Sequence, residues 1–261
     1  MLGSPGHSAL RRESWRSRRW HPLLVSPGYP ESKLAPLRWH RECVKRFGGK
    51  FDDVSRACGE TAHINVTFQP LTADLWQALE DVLGATGARG CWCMYWRIGA
   101  KYSQRPADEN RAGFRAVVDE GPPPGLIAFA GDVPVGWCQV TPREDVPMLD
   151  RAWRLKRVDD LPVWSISCLY VRKGYRRRGI TDALVAEAIE TARRAGAPAI
   201  EAYPFDARVS PSASGTGYAS VFERAGFTTV ARRVPARPIM RLRLDPHDPA
   251  SPDATNSGTR S

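Results

Sequence analysis

The chain has 261 residues, of which 42% are hydrophobic and 25% are charged, a composition typical of a folded globular protein. No stretch approaches the roughly 18 consecutive apolar residues of a membrane span, which argues against an integral membrane protein. The net charge of +10 favours anionic ligands or surfaces. Residues 1–62 hold 12 Lys and Arg against 6 Asp and Glu, so six of the ten excess positive charges lie there.

The two ends of the chain differ in composition from its middle. Residues 1–62 are rich in Arg, Pro, Gly and Ser and lack hydrophobic periodicity, which predicts a disordered arm. Two alternatives are an arm that contacts nucleic acid weakly through its basic residues, and translated sequence ahead of the native start. Residues 246–261, rich in Pro, Ser and Asp, predict a disordered tail.

Two further features predict a cytoplasmic location. The pair Arg18 and Arg19 resembles part of a twin-arginine export signal, but the apolar run after it is too short for such a signal. The six cysteines are spread along the chain without a paired spacing, which suits a reducing compartment.

Residues 63–245 carry the periodic patterns of one folded domain. The first half predicts a strand at 64–68, a helix from Thr72 to Gly84, a helix at 108–120, and a hairpin of strands at 126–130 and 135–140. The second half predicts a strand at 163–171, a helix from Gly179 to Gly196, a strand at 199–203, a helix at 218–225, and strands at 228–234 and 239–244. This order predicts a mixed α/β domain of about 180 residues, which is ample to bury one core.

The segment from Ser165 to Leu184 combines an apolar strand, a basic loop and a helix that opens at Gly179. Five Lys and Arg lie between Arg172 and Arg178. Free backbone N–H groups at a helix N-terminus, together with guanidinium groups, form a site for phosphate or pyrophosphate. A solvated charge run is the alternative, but such a run need not lie between a strand and a helix-opening glycine. A nucleotide P-loop is excluded, because no Gly-Lys-Ser/Thr motif is present there.

Three motifs resemble the GNAT family of acyl-CoA-dependent N-acyltransferases, as found in a bacterial branch. They are the hairpin at 131–137, the segment Phe222-Glu223-Arg224-Ala225-Gly226-Phe227, and the strand–helix motif Arg176-Arg177-Arg178-Gly179-Ile180-Thr181. The family has Gly or Ala where Thr181 stands. The resemblance covers residues 64–244 and implies a central, mostly antiparallel twisted sheet flanked by helices. It also implies an acyltransferase that uses acetyl-CoA as co-substrate and no metal.

The resemblance further implies how coenzyme A binds. The backbone N–H groups of residues 177–182 would hold the pyrophosphate, and the strand edge at 169–171 would pair with the pantetheine arm as a strand would. The backbone N–H of Leu169 or of Tyr170 would also stabilise the thioester oxyanion. The implied binding residues are Leu169, Tyr170, Val171, Arg176, Arg177, Arg178, Gly179, Ile180, Thr181 and Asp182.

Catalysis requires an amine that loses a proton and a thiolate that gains one. The family's usual route is direct transfer to a primary amine in a ternary complex. Many relatives have a general-acid Tyr where this chain has Phe222, which has no proton to give. Tyr218 and Ser220 on the same predicted helix are the substitutes. The missing Tyr also favours an alternative function, a non-catalytic acyl-CoA sensor or scaffold.

Glu144 is the candidate general base. Asp145 and Asp159 are further candidates next to predicted strands, although each of the three is of a kind more often found as a solvated loop carboxylate. A covalent role for Cys168 is disfavoured, because burial in a strand raises the pKa of a thiol.

The acceptor side of the family's site corresponds to residues 90–97, between the first two predicted helices. Trp92, Tyr95 and Trp96 there predict an aromatic wall that stacks on a cationic amine. A metal site is the disfavoured alternative, because Cys91 and Cys93 supply two ligands and others would have to converge on them. The acceptor stays open among a small metabolite, an antibiotic amine, a peptide N-terminus and a lysine. The oligomeric state is open as well.

Overall fold

The structure is a computed structural model that describes residues 64–84, 87–207 and 215–244. The predicted arm at 1–62 and the predicted tail at 246–261 lie outside the described residues, so their disorder and the domain bounds stay predictions. Within the described ranges, no helix has the length and apolar character needed to cross a membrane.

Seven strands and seven α-helices are found in the described parts of the chain. The strands are β1 Thr67–Pro70, β2 Gly125–Ala130, β3 Val133–Pro142, β4 Trp164–Val171, β5 Ala199–Ala202, β6 Thr228–Val234 and β7 Arg237–Arg243. The helices are α1 Trp76–Leu83, α2 Gly87–Gly90, α3 Tyr95–Ile98, α4 Ala107–Glu120, α5 Met148–Arg151, α6 Ile180–Arg194 and α7 Ala219–Arg224. Short 3₁₀ turns lie at Ala73–Leu75, Gly99–Gln104, Arg143–Asp145, Trp153–Leu155 and Lys173–Tyr175.

Each predicted strand and helix is present, with small shifts at the ends. The first strand begins three residues later than predicted, and α7 begins one residue later. The helices α2, α3 and α5 were not predicted, because each has four residues and one turn is too short to show a repeating apolar stripe.

The strands form one sheet in the order β1-β2-β3-β4-β5-β7-β6. All neighbours in it are antiparallel except β4 and β5. The prediction of a mixed α/β fold with a mostly antiparallel sheet is therefore confirmed.

Helices cover both faces of this sheet. On one face, the apolar stripe of α6 packs against β3 and β4. Gly136 of β3 permits this contact, because a Cβ atom there would come within 3.0 Å of Leu184 and 3.3 Å of Ile180. On the other face, α1 and α4 bury Leu79 and Phe114 with the β3 side chain of Trp137.

The strands β4 and β5 separate after a short parallel contact. Their pairing ends at Ile166 and Ala202, whereas β4 continues to Val171. Residues 167–171 therefore have no strand partner on the β5 side among the described residues, and we call this stretch the open edge of β4. The N-terminus of α6 follows it after the basic loop.

Candidate coenzyme and acceptor site

The open edge of β4 presents backbone groups of alternate residues. The Arg172 N–H donates to the Val135 oxygen of β3 at 2.9 Å. Since successive N–H groups of a strand point in opposite directions, the N–H of Tyr170 also faces β3, and those of Leu169 and Val171 face the open edge. Of the two predicted oxyanion donors, Leu169 therefore points to the edge and Tyr170 does not.

A loop covers part of this edge. The Leu169 N–H donates to the Gly215 oxygen at 2.6 Å. Next along the loop, Gly217 lies against both Leu169 and Phe222, because a Cβ atom on it would come within 3.2 Å and 3.0 Å of their side chains. An extended ligand that pairs with Leu169 would have to displace the Gly215 carbonyl.

A bulge and a buried polar pair lie beside the open edge. The pairing of β3 with β4 passes from Gln139–Cys168 to Val140–Ile166, so Ser167 is the extra residue. The amide nitrogen of Gln139 donates to the Ser167 hydroxyl at 2.9 Å, and both side chains are buried. Among the described residues, the Gln139 amide oxygen has no hydrogen-bond partner.

The N-terminus of α6 has the geometry of an anion site. Gly179 has a φ of +77°, and a Cβ atom placed on it would meet no atom within 4 Å, so open space lies in front of it. Within the described part of the chain, no hydrogen bond is donated by the backbone N–H groups of Gly179, Ile180, Thr181 or Asp182. The first bond of the helix runs from the Ala183 N–H to the Gly179 oxygen. Four converging donors and the helix dipole suit a phosphate group.

Several side chains of the basic loop contact the protein. Arg172 forms an ion pair with Asp81 of α1 at 2.8 Å. The Arg176 side chain donates to the Val171 oxygen at 2.9 Å, which is on the open edge. Arg178 lies over a tyrosine ring of the same loop, and Arg177 is exposed. The backbone donors of the loop are therefore more specific for a phosphate than its guanidinium groups.

The three candidate catalytic residues do not converge. Tyr218 immediately precedes α7 and follows Gly217, so it stands next to the open edge, with 36% of its surface exposed. Ser220 is exposed in the first turn of α7. Glu144 is exposed beyond the other end of β4, where Pro142 pairs with Trp164. Five residues of strand, roughly 16 Å, separate that end from the Leu169 N–H.

The aromatic residues predicted to form the acceptor wall occupy different environments. Trp92 is buried and stacks on Trp76 with 5.9 Å between ring centroids. Trp96 is buried in a separate cluster with Tyr203, which follows β5, and Ile239 of β7. Tyr95 is half-buried and stands edge-on to Trp96 and Tyr102. Of the three predicted residues, Tyr95 alone has surface to offer a ligand.

Two thiols near this wall have raised pKa values. A hydrogen bond with the Cys168 thiol, together with burial, raises the pKa of Cys93 well above its usual value. Burial raises the pKa of Cys91 to about 11. In the described ranges, no group of three or more His, Cys, Asp or Glu side chains is placed to hold a metal. Because the thiolate is the nucleophilic form, thiols with raised pKa values are better suited to packing than to nucleophilic attack.

Two buried arginines were not predicted as functional or structural residues. Arg143 follows β3, and Arg237 opens β7; their exposed fractions are 1% and 9%. No local pattern marks either position, because Arg232 and Arg233 are close to Arg237 in the same basic hairpin and both are exposed. Burial of a charged side chain depends on neighbours from distant parts of the sequence.

The profile of the acetyltransferase (GNAT) family matches residues 91–209. No curated protein matches the chain.

Solved structures of similar architecture include several acetyltransferases. The protein yncA from Salmonella typhimurium, solved with acetyl-CoA, is 20% identical over 73% of this chain and 99% of its own, with a TM-score of 0.42. The PaiA N-acetyltransferase from Thermoplasma acidophilum, solved with coenzyme A, is 17% identical over 69% of this chain and 99% of its own, with a TM-score of 0.42. An agmatine N-acetyltransferase is 12% identical over 69% and 99%, with a TM-score of 0.46. The family profile includes β4, the basic loop and α6, and this part of the chain is similar to the GNAT family of acetyltransferases.

Proposed function

We propose that the protein transfers an acetyl group from acetyl-CoA to a primary amine by direct attack in a ternary complex. The observation that carries the proposal is the set of four backbone N–H groups at 179–182, which donate no hydrogen bond within the described part of the chain and follow the open edge of β4 after the basic loop. These donors fit a pyrophosphate, because backbone N–H groups at a helix N-terminus bind anions without a side chain.

The open edge of β4 fits the remaining length of the coenzyme. Leu169 and Val171 turn their backbone groups to this edge, so an extended pantetheine arm would pair with them as an added strand. Pairing at Leu169 requires the Gly215 carbonyl to leave, after which the Leu169 N–H is free to stabilise the thioester oxygen. When bound, acetyl-CoA supplies the activated acyl group and the thiolate that leaves.

We assign proton donation at the thiolate to Tyr218, because it stands beside the open edge and Phe222 carries no proton. Ser220, two residues further along the chain in the first turn of α7, is the second candidate. Glu144 is left out of the proposal, since it lies beyond the other end of β4.

Replacement of Gly179 by Val tests the coenzyme site. A branched side chain there would fill the space in front of the donors, and loss of about 3 kcal/mol of charge-assisted hydrogen bonding corresponds to roughly 100-fold weaker binding of coenzyme A. Calorimetric titration measures the change. Gly131→Val is the matched control, because Gly131 also has a positive φ of +60° and no atom within 4 Å of its Cβ position. Equal affinity in Gly179→Val and wild type would reject the site.

Replacement of Tyr218 by Phe tests the catalytic role. Loss of a general acid lowers kcat by about 10²- to 10⁴-fold. The affinity for coenzyme A should stay within a factor of about two to three of the wild-type value, which is the usual spread for surface substitutions. Release of the coenzyme thiol reports turnover with a panel of amines. Ser220→Ala is the comparison variant on the same helix.

A second function is favoured by one observation. Phe222 is fully buried against Phe227, with 5.3 Å between ring centroids, so the position of the usual general acid is part of the core. A non-catalytic acyl-CoA sensor would bind acetyl-CoA at Gly179 and release no thiol with any amine. That result would replace the enzyme proposal by the sensor proposal.

A further inference from the structure

Arg237 is a buried cation whose hydrogen bonds are incomplete. It is 9% exposed, and within the described residues its Nε has no hydrogen-bond partner. Among the described residues, its one hydrogen bond to a polar side chain is weak, since the guanidinium donates to the Thr216 hydroxyl at 3.4 Å. The guanidinium carbon lies 4.0 Å from the centroid of the Phe205 ring. A ring face stabilises a cation but does not accept its in-plane N–H groups.

The charges around Arg237 are of the same sign. Burial, and then the nearby charge of Arg154, lower the pKa of Arg237 to about 10, while the Tyr95 hydroxyl opposes this shift. Among the described residues, neither Arg237 nor Arg154 forms an ion pair with a carboxylate. Within the described residues the two cations therefore lack a compensating anion, and an anionic ligand would supply it.

This position is next to the open edge of β4. Thr216, which contacts Arg237, lies between Gly215 and Gly217. Gly215 accepts the Leu169 N–H, and Gly217 lies against the Leu169 side chain. The half-buried Tyr95, on the predicted acceptor side, packs against the cluster that contains Ile239 of β7, the strand that Arg237 opens. An acceptor held by Arg237 would therefore extend toward the carbonyl that the amine must attack.

We infer that Arg237 and Arg154 bind the anionic group of the acceptor, which is an amine that also carries a carboxylate, such as an α-amino acid. The inference rests on the proposed function and names its substrate class. A planar guanidinium binds a carboxylate through two parallel N–H donors, and a second arginine completes the neutralisation. Phosphate shares this chemistry and is separated from carboxylate by the test. Polycationic amines are excluded as preferred acceptors, since the two arginines repel them.

Matched pairs of amines provide the first test. Full-length protein is assayed with acetyl-CoA and each of lysine and cadaverine, tyrosine and tyramine, and O-phosphoethanolamine and ethanolamine. The acid-bearing member of a carboxylate pair should be the better acceptor by about tenfold to a hundredfold in kcat/KM, the range of a hydrogen-bonded charge. Preference confined to O-phosphoethanolamine, equal use of both members, or preference for the decarboxylated members would overturn the carboxylate assignment.

Substitutions link that preference to Arg237. Arg237→Gln should raise the KM of the acid-bearing acceptor by a similar factor and leave the KM of acetyl-CoA unchanged, with partial recovery in Arg237→Lys. Arg232→Gln is the control, because Arg232 is exposed in the same hairpin and pairs with Asp206. An equal rise in the control, or no rise in Arg237→Gln, counts against the inference.

A stability measurement tests Arg237 without an acceptor. If the guanidinium is kept for a ligand, Arg237→Met should leave the unfolding midpoint unchanged or raise it, because an unpaired buried charge is removed. A lower midpoint would make Arg237 a structural residue and overturn the inference. Different results would reject the two proposals. If the wild-type protein does not bind coenzyme A, the proposed function is rejected. If it acetylates amines that carry no anionic group as well as those that do, the acceptor class is rejected.

Discussion

Arg143 and Arg237 are both buried, and their surroundings are opposite. Arg143 donates to the carboxylates of Glu201 and Asp150 at 3.0 Å and 2.8 Å, to the Tyr203 hydroxyl at 2.7 Å and to the Leu155 oxygen at 2.7 Å. Among the described residues, Arg237 has one long contact to a hydroxyl and no carboxylate partner.

The two guanidinium groups respond accordingly. Burial lowers the pKa of Arg143, but the Tyr203 hydroxyl and the two carboxylates outweigh it, and the net pKa is raised. Burial and a second cation both lower the pKa of Arg237. A buried charge with complete partners belongs to the fold, whereas one with missing partners is explained by a ligand that supplies them. The comparison therefore separates a structural arginine from one that we assign to the acceptor.

Of the changes predicted for this comparison, removal of the Glu201 carboxylate should cost the most stability. Glu201 is 1% exposed and binds both Arg143 and Arg241. Glu201→Gln leaves two buried cations without their common anion, so the free energy of unfolding should fall by about 3–5 kcal/mol. Urea denaturation followed by circular dichroism measures it.

The control for that change is an exposed pair of the same kind. Asp119→Asn removes the partner of Arg115 on the surface of α4 and should cost about 0.3–0.5 kcal/mol. Similar losses in the two variants would mean that the Glu201 cluster does not stabilise the fold, and the distinction between Arg143 and Arg237 would collapse.

A carboxylate introduced beside Arg237 would give this arginine the kind of partner that Arg143 already has. Thr216 is buried and its hydroxyl is 3.4 Å from the guanidinium, so Thr216→Asp places a carboxylate beside Arg237. The free energy of unfolding should rise by about 1 kcal/mol, the net value of a hydrogen-bonded charge after the cost of its burial. The KM of an acid-bearing acceptor should rise at least tenfold, because the position is already filled.

Thr216→Asn keeps the size of that side chain without its charge. This variant should show neither the gain in unfolding free energy nor the full rise in KM. Equal effects of Asp and Asn would indicate that the site responds to volume, and Arg237 would then need no anion.

The sequence could predict the parts of the molecule that depend on local order. The stripe that α6 buries repeats over fifteen residues, so its helix and its opening glycine were predicted. The fold class is confirmed, and the family profile matches residues 91–209, whereas the roles of the individual site residues stay predictions. The partners of Arg143 could not be predicted, because Glu201 lies 58 residues away in the sequence and only the order of the strands in the sheet brings the two together. The sequence pattern favours Glu144 as general base because it follows a strand, but the end of that strand is distant from Leu169.

Acid titration should give the smallest change in unfolding free energy, and it tests only the carboxylates around Arg143 and Arg241. Asp150 and Asp159 are the outer carboxylates of the same cluster, paired with Arg143 and Arg241. Burial raises the pKa of Asp150, but the hydrogen bond from Arg143 and its charge outweigh it, and the net pKa lies below the usual 3.8. The hydrogen bond from Arg241 lowers the pKa of Asp159.

Because both carboxylates have depressed pKa values in the folded state, their contribution is complete above pH 3.8 and is lost as the pH falls below it. Each is more than a third exposed, so the contribution should stay below about 1 kcal/mol. The free energy of unfolding, measured at pH 6 and pH 3, should fall less in the double variant Asp150→Asn and Asp159→Asn than in wild type. Asp108→Asn, on the exposed first turn of α4, should keep the wild-type slope. The same slope in the double variant would show that these two pairs do not couple folding to pH.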